Sequence, residues 1–264
     1  MCARCRFLCV GMSVFSAVLL CKSTNRIYVN PRIEASLLPT SFQAISQLML
    51  TEMCGRNWGH VRSLSLMFFW NWRHFAWGEV LNTESLANDC GISVDTAKSW
   101  LSILGSSFIA FRLRPYFKNY GKRITKASKL YFYDTGLAAH LLGIESTEQL
   151  ILSNHRGNLF ENLVVTEIIK RYEALEKRPR LHHWRDSNRK EIDLIIEKGG
   201  KPYYLIEIKS SATFRPEAFS TIDSIALEMG VPCERRFVVY GGSDSFGNRH
   251  GRVIGFRNLG ELVE

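Results

Sequence analysis

No stretch of the 264-residue chain is long and apolar enough to cross a membrane. The most apolar run, residues 7–20, has 14 residues where about 20 are needed. Arg4 and Arg6 precede it as in a signal peptide, but Leu20, Cys21 and Lys22 make a poor small-residue cleavage site. A buried segment or an N-terminal extension is therefore expected there, and no membrane partner. Internal repeats and low-complexity segments are absent, which excludes solenoids and a disordered chain. The seven cysteines are odd in number and four fall within the first 21 residues. That is not a disulfide scaffold, and it implies a reducing, cytoplasmic setting. Cys2 and Cys5 form a CxxC with no His or second CxxC to complete a zinc site.

Acidic residues are missing from one place. Between residues 98 and 133 stand eight basic residues, Lys98, Arg112, Arg114, Lys118, Lys122, Arg123, Lys126 and Lys129, and no Asp or Glu. This stretch carries most of the basic surplus of the front part, which has 16 Lys/Arg against 9 Asp/Glu over residues 1–154. The rest is nearly balanced, 18 against 16. Tyr116, Phe117 and Tyr120 interleave with the charges. Such a face can neutralise a phosphate backbone and release its counterions, which points to DNA. A solvated or protein-docking surface has the same composition.

What is present can be read as elements. Residues 1–80 hold four of the six tryptophans and no clear periodicity, so they form an ill-defined N-terminal segment. Residues 83–90 predict a short amphipathic helix with Leu86 and Ala87 inward. Gly91 makes a turn, Ser93 caps, and residues 94–104 predict a second helix with Ala97, Trp100, Leu101 and Leu104 on one face. Two strands follow, residues 108–113 and 129–133. Helix, turn, helix and ribbon describe a winged helix over residues 81–150. Asp134-Thr135-Gly136 resembles a protease triplet, but at this position Asp134 reads as a helix cap.

Residues 151–264 predict a second domain. A helix near residues 158–174 carries Glu161 beside an apolar stripe of Phe160, Leu163, Val164, Ile168 and Ile169. Strands are expected at 182–186, 191–197 and 203–209, the last two joined by the Gly199-Gly200 hairpin, then a helix over 217–229 and a strand over 237–240. Strict alternation would put Glu191, Asp193, Ile195 and Glu197 on one face of the middle strand, and Leu205, Glu207 and Lys209 on one face of the next. Folding the hairpin brings Asp193 beside Glu207 and Lys209. Two carboxylates crowded together need a cation, and with a lysine they can hold Mg²⁺ and stabilise a phosphoryl transition state. Glu161 offers a third oxygen ligand. Asp193, Glu207, Lys209 and Glu161 are thus the candidate catalytic residues, with Asp193, Glu207 and Glu161 as metal ligands.

Asp193 followed by Glu207-Ile208-Lys209 resembles the signature of the PD-(D/E)XK nucleases. With Gly157-Asn158-Leu159-Phe160-Glu161-Asn162, Trp184-Arg185-Asp186, Asn119-Tyr120-Gly121-Lys122-Arg123 and residues 129–137, the chain over residues 80–264 resembles the C-terminal part of predicted AAA+ ATPases of bacteria and archaea. The resemblance implies an α/β chain, a winged helix-turn-helix followed by a restriction-endonuclease-like αβββαβ domain. It also implies an ATPase domain or a second copy as partner. The chain has no GxxxxGK[ST] motif, so no ATP site is expected in it. Two functions are compatible with this sequence: Mg²⁺-dependent phosphodiester hydrolysis on DNA, or a DNA- or protein-binding module without activity of its own.

Overall fold

The computed structural model describes residues 80–116 and 127–263. The N-terminal apolar run, the CxxC, the tryptophan-rich stretch and Lys118, Lys122, Arg123 and Lys126 lie outside the described residues. The described residues form two compact units.

The first unit contains Thr83–Ile109 and Asp134–Leu152. Helices α1 (Thr83–Asp89) and α2 (Val94–Ser106) meet across Gly91, whose φ of +63° suits the turn. Ser93 caps α2 by accepting from the Thr96 N–H at 3.1 Å. Leu86, Ala87, Ala97, Trp100, Leu101 and Leu104 are buried, as the spacing predicts. Asp134 accepts from the Gly136 and Leu137 N–H groups at 2.7 and 3.1 Å and caps α3 (Thr135–Leu141). The capping reading of the Asp-Thr-Gly triplet holds. A short helix α4 (Thr147–Leu152) ends this unit.

The second unit is a mixed α/β layer structure. Its strands are β1 (Ala110–Pro115), β2 (Lys129–Phe132), β3 (Arg180–Arg185), β4 (Glu191–Lys198), β5 (Lys201–Lys209), β6 (Arg236–Tyr240), β7 (Phe246–Asn248) and β8 (Gly251–Gly255). Among the described residues they form an eight-stranded sheet in the order β2-β1-β3-β4-β5-β6-β8-β7. Helix α5 (Arg156–Ala174) precedes β3, and α6 (Ser220–Met229) joins β5 to β6 by a parallel crossover. From α5 to β6 the chain therefore runs helix, three strands, helix, strand. The Gly199 and Gly200 turn has φ of +60° and +74°, the mirror-image turn that matches strand twist. One apolar layer joins Val164, Val165 and Ile168 of α5 to Leu194, Ile196, Ile206 and Ile208. The other joins Ile222, Ile225 and Ala226 of α6 to Trp184, Ile192, Ile195 and Leu205.

Two features depart from expectation. The ribbon assigned to a winged helix over residues 81–150 is the end of this sheet: β1 pairs with β2 and, in parallel, with β3 through Arg114–His182 and Pro115–His183. The edge of β3 would otherwise leave backbone groups unpaired, and β1 covers it. Alternation in β4 also fails. Ile192 and Ile195 pack in one apolar layer, Leu194 and Ile196 in the other, and the β3–β4 register shifts between His182 and Trp184. A bulge at Asp193 takes up the extra residue, so Asp193 and Ile195 do not share a face. Bulges next to functional sites re-aim side chains in this way.

Strand β2 is held by an amide. Asn162 of α5 accepts from the Phe132 N–H at 2.7 Å and donates to the Phe132 carbonyl at 3.0 Å, supplying both bonds of a missing neighbour strand. Asn162→Ala leaves two buried backbone groups with poorer partners. It is expected to lower stability by roughly 2 kcal/mol in denaturant titration, whereas Asn158→Ala at a half-exposed position of the same helix should change little.

Candidate active site

The N-terminal part of β4 and the C-terminal end of β5, two central strands, lie at the same end of the sheet, because the two strands are antiparallel. Pairing of β4 with β5 runs from Lys198 to Leu194 and stops there. Beyond that point the Asp193 side chain replaces a backbone carbonyl: its Oδ2 accepts from the Ile208 N–H at 2.8 Å. A side chain therefore closes the ladder and is fixed by it.

Glu207 and Lys209 alternate with buried Ile208, so both leave β5 on the same side. The Lys209 Nζ donates to Glu207 Oε1 at 2.6 Å. Glu207 is almost completely buried, while about half of the Lys209 side chain is exposed. Glu207 Oε2 is buried and has no hydrogen-bond partner. Burial and then the Asp193 charge push the Glu207 carboxyl up to about 8, despite the Lys209 ammonium. The loop after Lys209 is held as well: Arg156 of α5 donates to the Ser210 carbonyl at 2.8 Å, and the Gly241 N–H donates to the carbonyls of Lys209 and Ser211.

Glu161 occupies a different setting from the one expected of a metal ligand. Its Oε1 accepts from Lys129 Nζ at 2.8 Å and from the Tyr131 hydroxyl at 2.5 Å. Lys129 also pairs with Glu191 Oε1, and lies 3.9 Å from Asp193 Oδ1. Lys129 is 1% exposed, so it cannot contact DNA phosphates and leaves the basic face in which its sequence neighbours place it. Burial opposes its charge, but the Glu161, Asp193 and Glu191 carboxylates outweigh that and hold its pKa above the ordinary lysine range. Burial and then the Asp193 charge push Glu161 up to about 7, against the pull of Lys129 and Tyr131. The Tyr131 hydroxyl is raised well above its usual value by burial and the Glu161 charge. Arg185 adds a second cation to Glu191 at 3.5 Å.

The sequence-predicted residues thus divide. Asp193, Glu207 and Lys209 converge at one end of the central strands β4 and β5, and Glu161 joins them through Lys129 and the Asp193 charge. Among the described residues no group of three or more His, Cys, Asp or Glu side chains is placed to hold a metal ion. Two carboxylates do fit Mg²⁺, which usually keeps several waters and takes one or two carboxylates plus substrate phosphates. The unpaired, buried Glu207 oxygen is the group that a cation would satisfy. His182 and His183 stand within β3, as foreseen. Arg112 and Arg114 flank buried Leu113 and share the exposed side of β1, while Lys98 is on α2 of the other unit, paired with Asp95 at 3.2 Å.

Lys129, Tyr131, Asn162 and Glu191 take part in this region and were missed as such in the sequence. One signal was there: Lys129 and Tyr131 are two apart in a strand, so they share a face, and a lysine within an otherwise apolar strand needs a buried acid. Their acid, Glu161, is 32 residues from Lys129, beyond any local pattern.

Among the described residues no helix is long and apolar enough to cross a membrane. Comparison with known proteins adds relatives without assigned roles. Residues 156–259 match a domain of unknown function (DUF4143), and residues 58–148 match a second one (DUF8612). Uncharacterized proteins of Mycobacterium bovis and Mycobacterium tuberculosis are each 30% identical over 169 residues, 64% of this chain and 36% of theirs. No solved structure matches the chain. The chain thus spans about a third of the length of the curated relatives it matches, and strands β3 to β8 with Asp193, Glu207 and Lys209 fall within the region similar to DUF4143.

Proposed function

We propose that the strand-end site formed by Asp193, Glu207 and Lys209 hydrolyses phosphodiester bonds in DNA with the help of Mg²⁺, in a nuclease-like domain of the PD-(D/E)XK type. The observation that carries this reading is the buried, unpaired Glu207 Oε2 together with the Asp193 carboxyl, which the Ile208 N–H anchors, and a half-exposed Lys209. Asp193 and Glu207 would hold the ion, which supplies a Lewis acid and an acidified water. Asp193 needs no reorganisation for this, because Ile208 already anchors it. Lys209 keeps Glu207 oriented and presents a positive charge to the phosphoryl oxygens as negative charge builds on them. The helix pair α1–α2, Lys98, Arg112 and Arg114, together with the basic residues 118–126, would contact the DNA backbone. An ATPase domain is the partner that the resemblance of residues 80–264 to the C-terminal part of AAA+ ATPases implies; the chain has no phosphate-binding loop of its own.

The test uses the purified chain with plasmid and single-stranded DNA in Mg²⁺ or Mn²⁺. Lys209→Ala is expected to slow cleavage by about 10²–10³-fold, the usual cost of losing one transition-state donor, and Asp193→Asn to abolish it. A folded protein that cuts nothing in either metal sinks the hydrolytic reading. A second reading is a DNA-binding module without catalysis, which the exposed, same-sided Arg112 and Arg114 of β1 favour. Binding that weakens with salt, with no cleavage, is its signature.

A further inference from the structure

We propose that the Lys129 ammonium is the resident cation of the carboxylate cluster, standing where a divalent ion would otherwise bind, and that it confines any metal to Asp193 and Glu207. The inference deepens the hydrolytic reading above and rests on it for the role of Asp193 and Glu207.

The geometry is that of an ion in a cage. Three carboxylates from two elements, Glu161 of α5 and Glu191 and Asp193 of β4, surround one Nζ. The lysine side chain is 2% exposed, so water does not stabilise its charge and the carboxylates must. Its contacts are the oxygen contacts that a hard cation makes, and Tyr131 adds a further donor to Glu161. A lysine here has one consequence that a metal lacks: it is covalently fixed to β2 and cannot leave. It keeps Glu161 and Glu191 from competing for an ion, so the oxygens left for one are those on the Glu207 side, where Oε2 is unpaired. Lys129 is then a positioning residue that sets how many ions the site accepts and which carboxylates hold them. Glu161 acts through it and does not touch the metal.

Mn²⁺ binding to the full chain, followed by calorimetry and by the loss of the free-ion electron paramagnetic resonance signal, tests this. Lys129→Met is expected to take up one more Mn²⁺ per chain than the wild type. The double variant Lys129→Met/Glu161→Gln should lose that extra ion. In the wild-type background Glu161→Gln should leave Mn²⁺ affinity within about threefold, while Glu207→Gln weakens it by more than about tenfold, because a direct ligand counts for at least as much as an outer-shell partner. A folded Lys129→Met with wild-type stoichiometry overturns the inference, and so does Glu161→Gln weakening Mn²⁺ as much as Glu207→Gln. If Lys129→Met does not fold, it is refolded in millimolar Ca²⁺. Recovery of a cooperative unfolding transition supports the cage, and continued failure overturns it. An extra ion in Lys129→Met alongside a wild type that binds none keeps the cage and rejects the hydrolytic reading. A wild-type ion with no gain in the variant does the reverse.

Discussion

Replacing Lys129 with alanine is expected to cost about 3–5 kcal/mol of folding stability, the range seen when one member of a buried ion pair is removed. The reason is what remains. Glu161 and Asp193 would stay in a largely dry site without their shared counter-charge, while Glu191, about a quarter exposed, would keep Arg185. Arg185 reaches only Glu191, at 3.5 Å, and cannot replace it. Two controls separate charge from packing. Lys98→Ala removes an exposed pair with Asp95 and should shift stability by well under about 1 kcal/mol. Adding Glu161→Gln to Lys129→Ala should recover part of the loss, because one negative charge is withdrawn. Urea titration near pH 7.5 reads all three. If the double variant is no more stable than Lys129→Ala, the cost comes from lost packing and not from charge.

Acidification is expected to destabilise the protein through His183, by about 3 kcal/mol between pH 7 and pH 4. His183 on β3 is fully buried, and its Nε2–H donates to the Ala127 carbonyl at 3.2 Å. Burial, and then the positive charge of Lys129, push its pKa down to about 3 from an ordinary 6.5. The folded protein holds this imidazole neutral, while the unfolded chain takes up a proton below pH 6.5. The stability it contributes is complete above pH 6.5 and is lost as the pH falls towards 3. Glu161 and Glu207 act with the opposite sign. Their folded pKa values are raised, so their contribution is present below about pH 4.5 and is lost as the pH rises through 7–8. The two effects are separated by His183→Asn, which keeps a side-chain donor and does not titrate. Subtracting the stability of this variant from that of the wild type at each pH should give a difference that falls by about 3 kcal/mol from pH 7 to pH 4. A difference that stays flat shows that His183 is not held neutral. In the Lys129→Ala background the fall should shift to higher pH, because one cause of the depressed pKa is gone.

Much of this arrangement is local and could be read along the chain. The α1–α2 turn follows from Gly91, the start of α2 from Ser93, and the start of α3 from Asp134, since each is a backbone requirement met within four residues. The β4–β5 hairpin follows from two glycines between apolar runs, and the convergence of Asp193 with Glu207 and Lys209 follows from the hairpin. Local reasoning failed where one residue changes the count or where the partner is distant. The bulge at Asp193 breaks the period of two in β4, because the extra residue is absorbed by pairing with β3 and leaves no mark in composition, and a second register shift stands between Ile196 and Glu197 in the pairing with β5. The joining of β1 to β3 is equally silent: a strand does not state whether its second edge is free.

The basic stretch shows the division most clearly. Its eight cations and its lack of acid are facts of composition, and they determine that residues 98–133 carry most of the front part's basic surplus. Composition cannot separate a lysine in water from one in a cage. Arg112 and Arg114 point outward because Leu113 between them is buried, whereas Lys129, on the neighbouring strand, is enclosed by Glu161, Glu191 and Asp193. Those acids lie 32 to 64 residues away in the chain. The sequence alone determined most of the elements from α1 to β6, the caps of α2 and α3, and the carboxylate pair with its lysine, whereas α4, β7 and β8 left no pattern legible along the chain. Only the tertiary structure decided which charges meet, because burial of an ion depends on the through-space placement of its counter-ions.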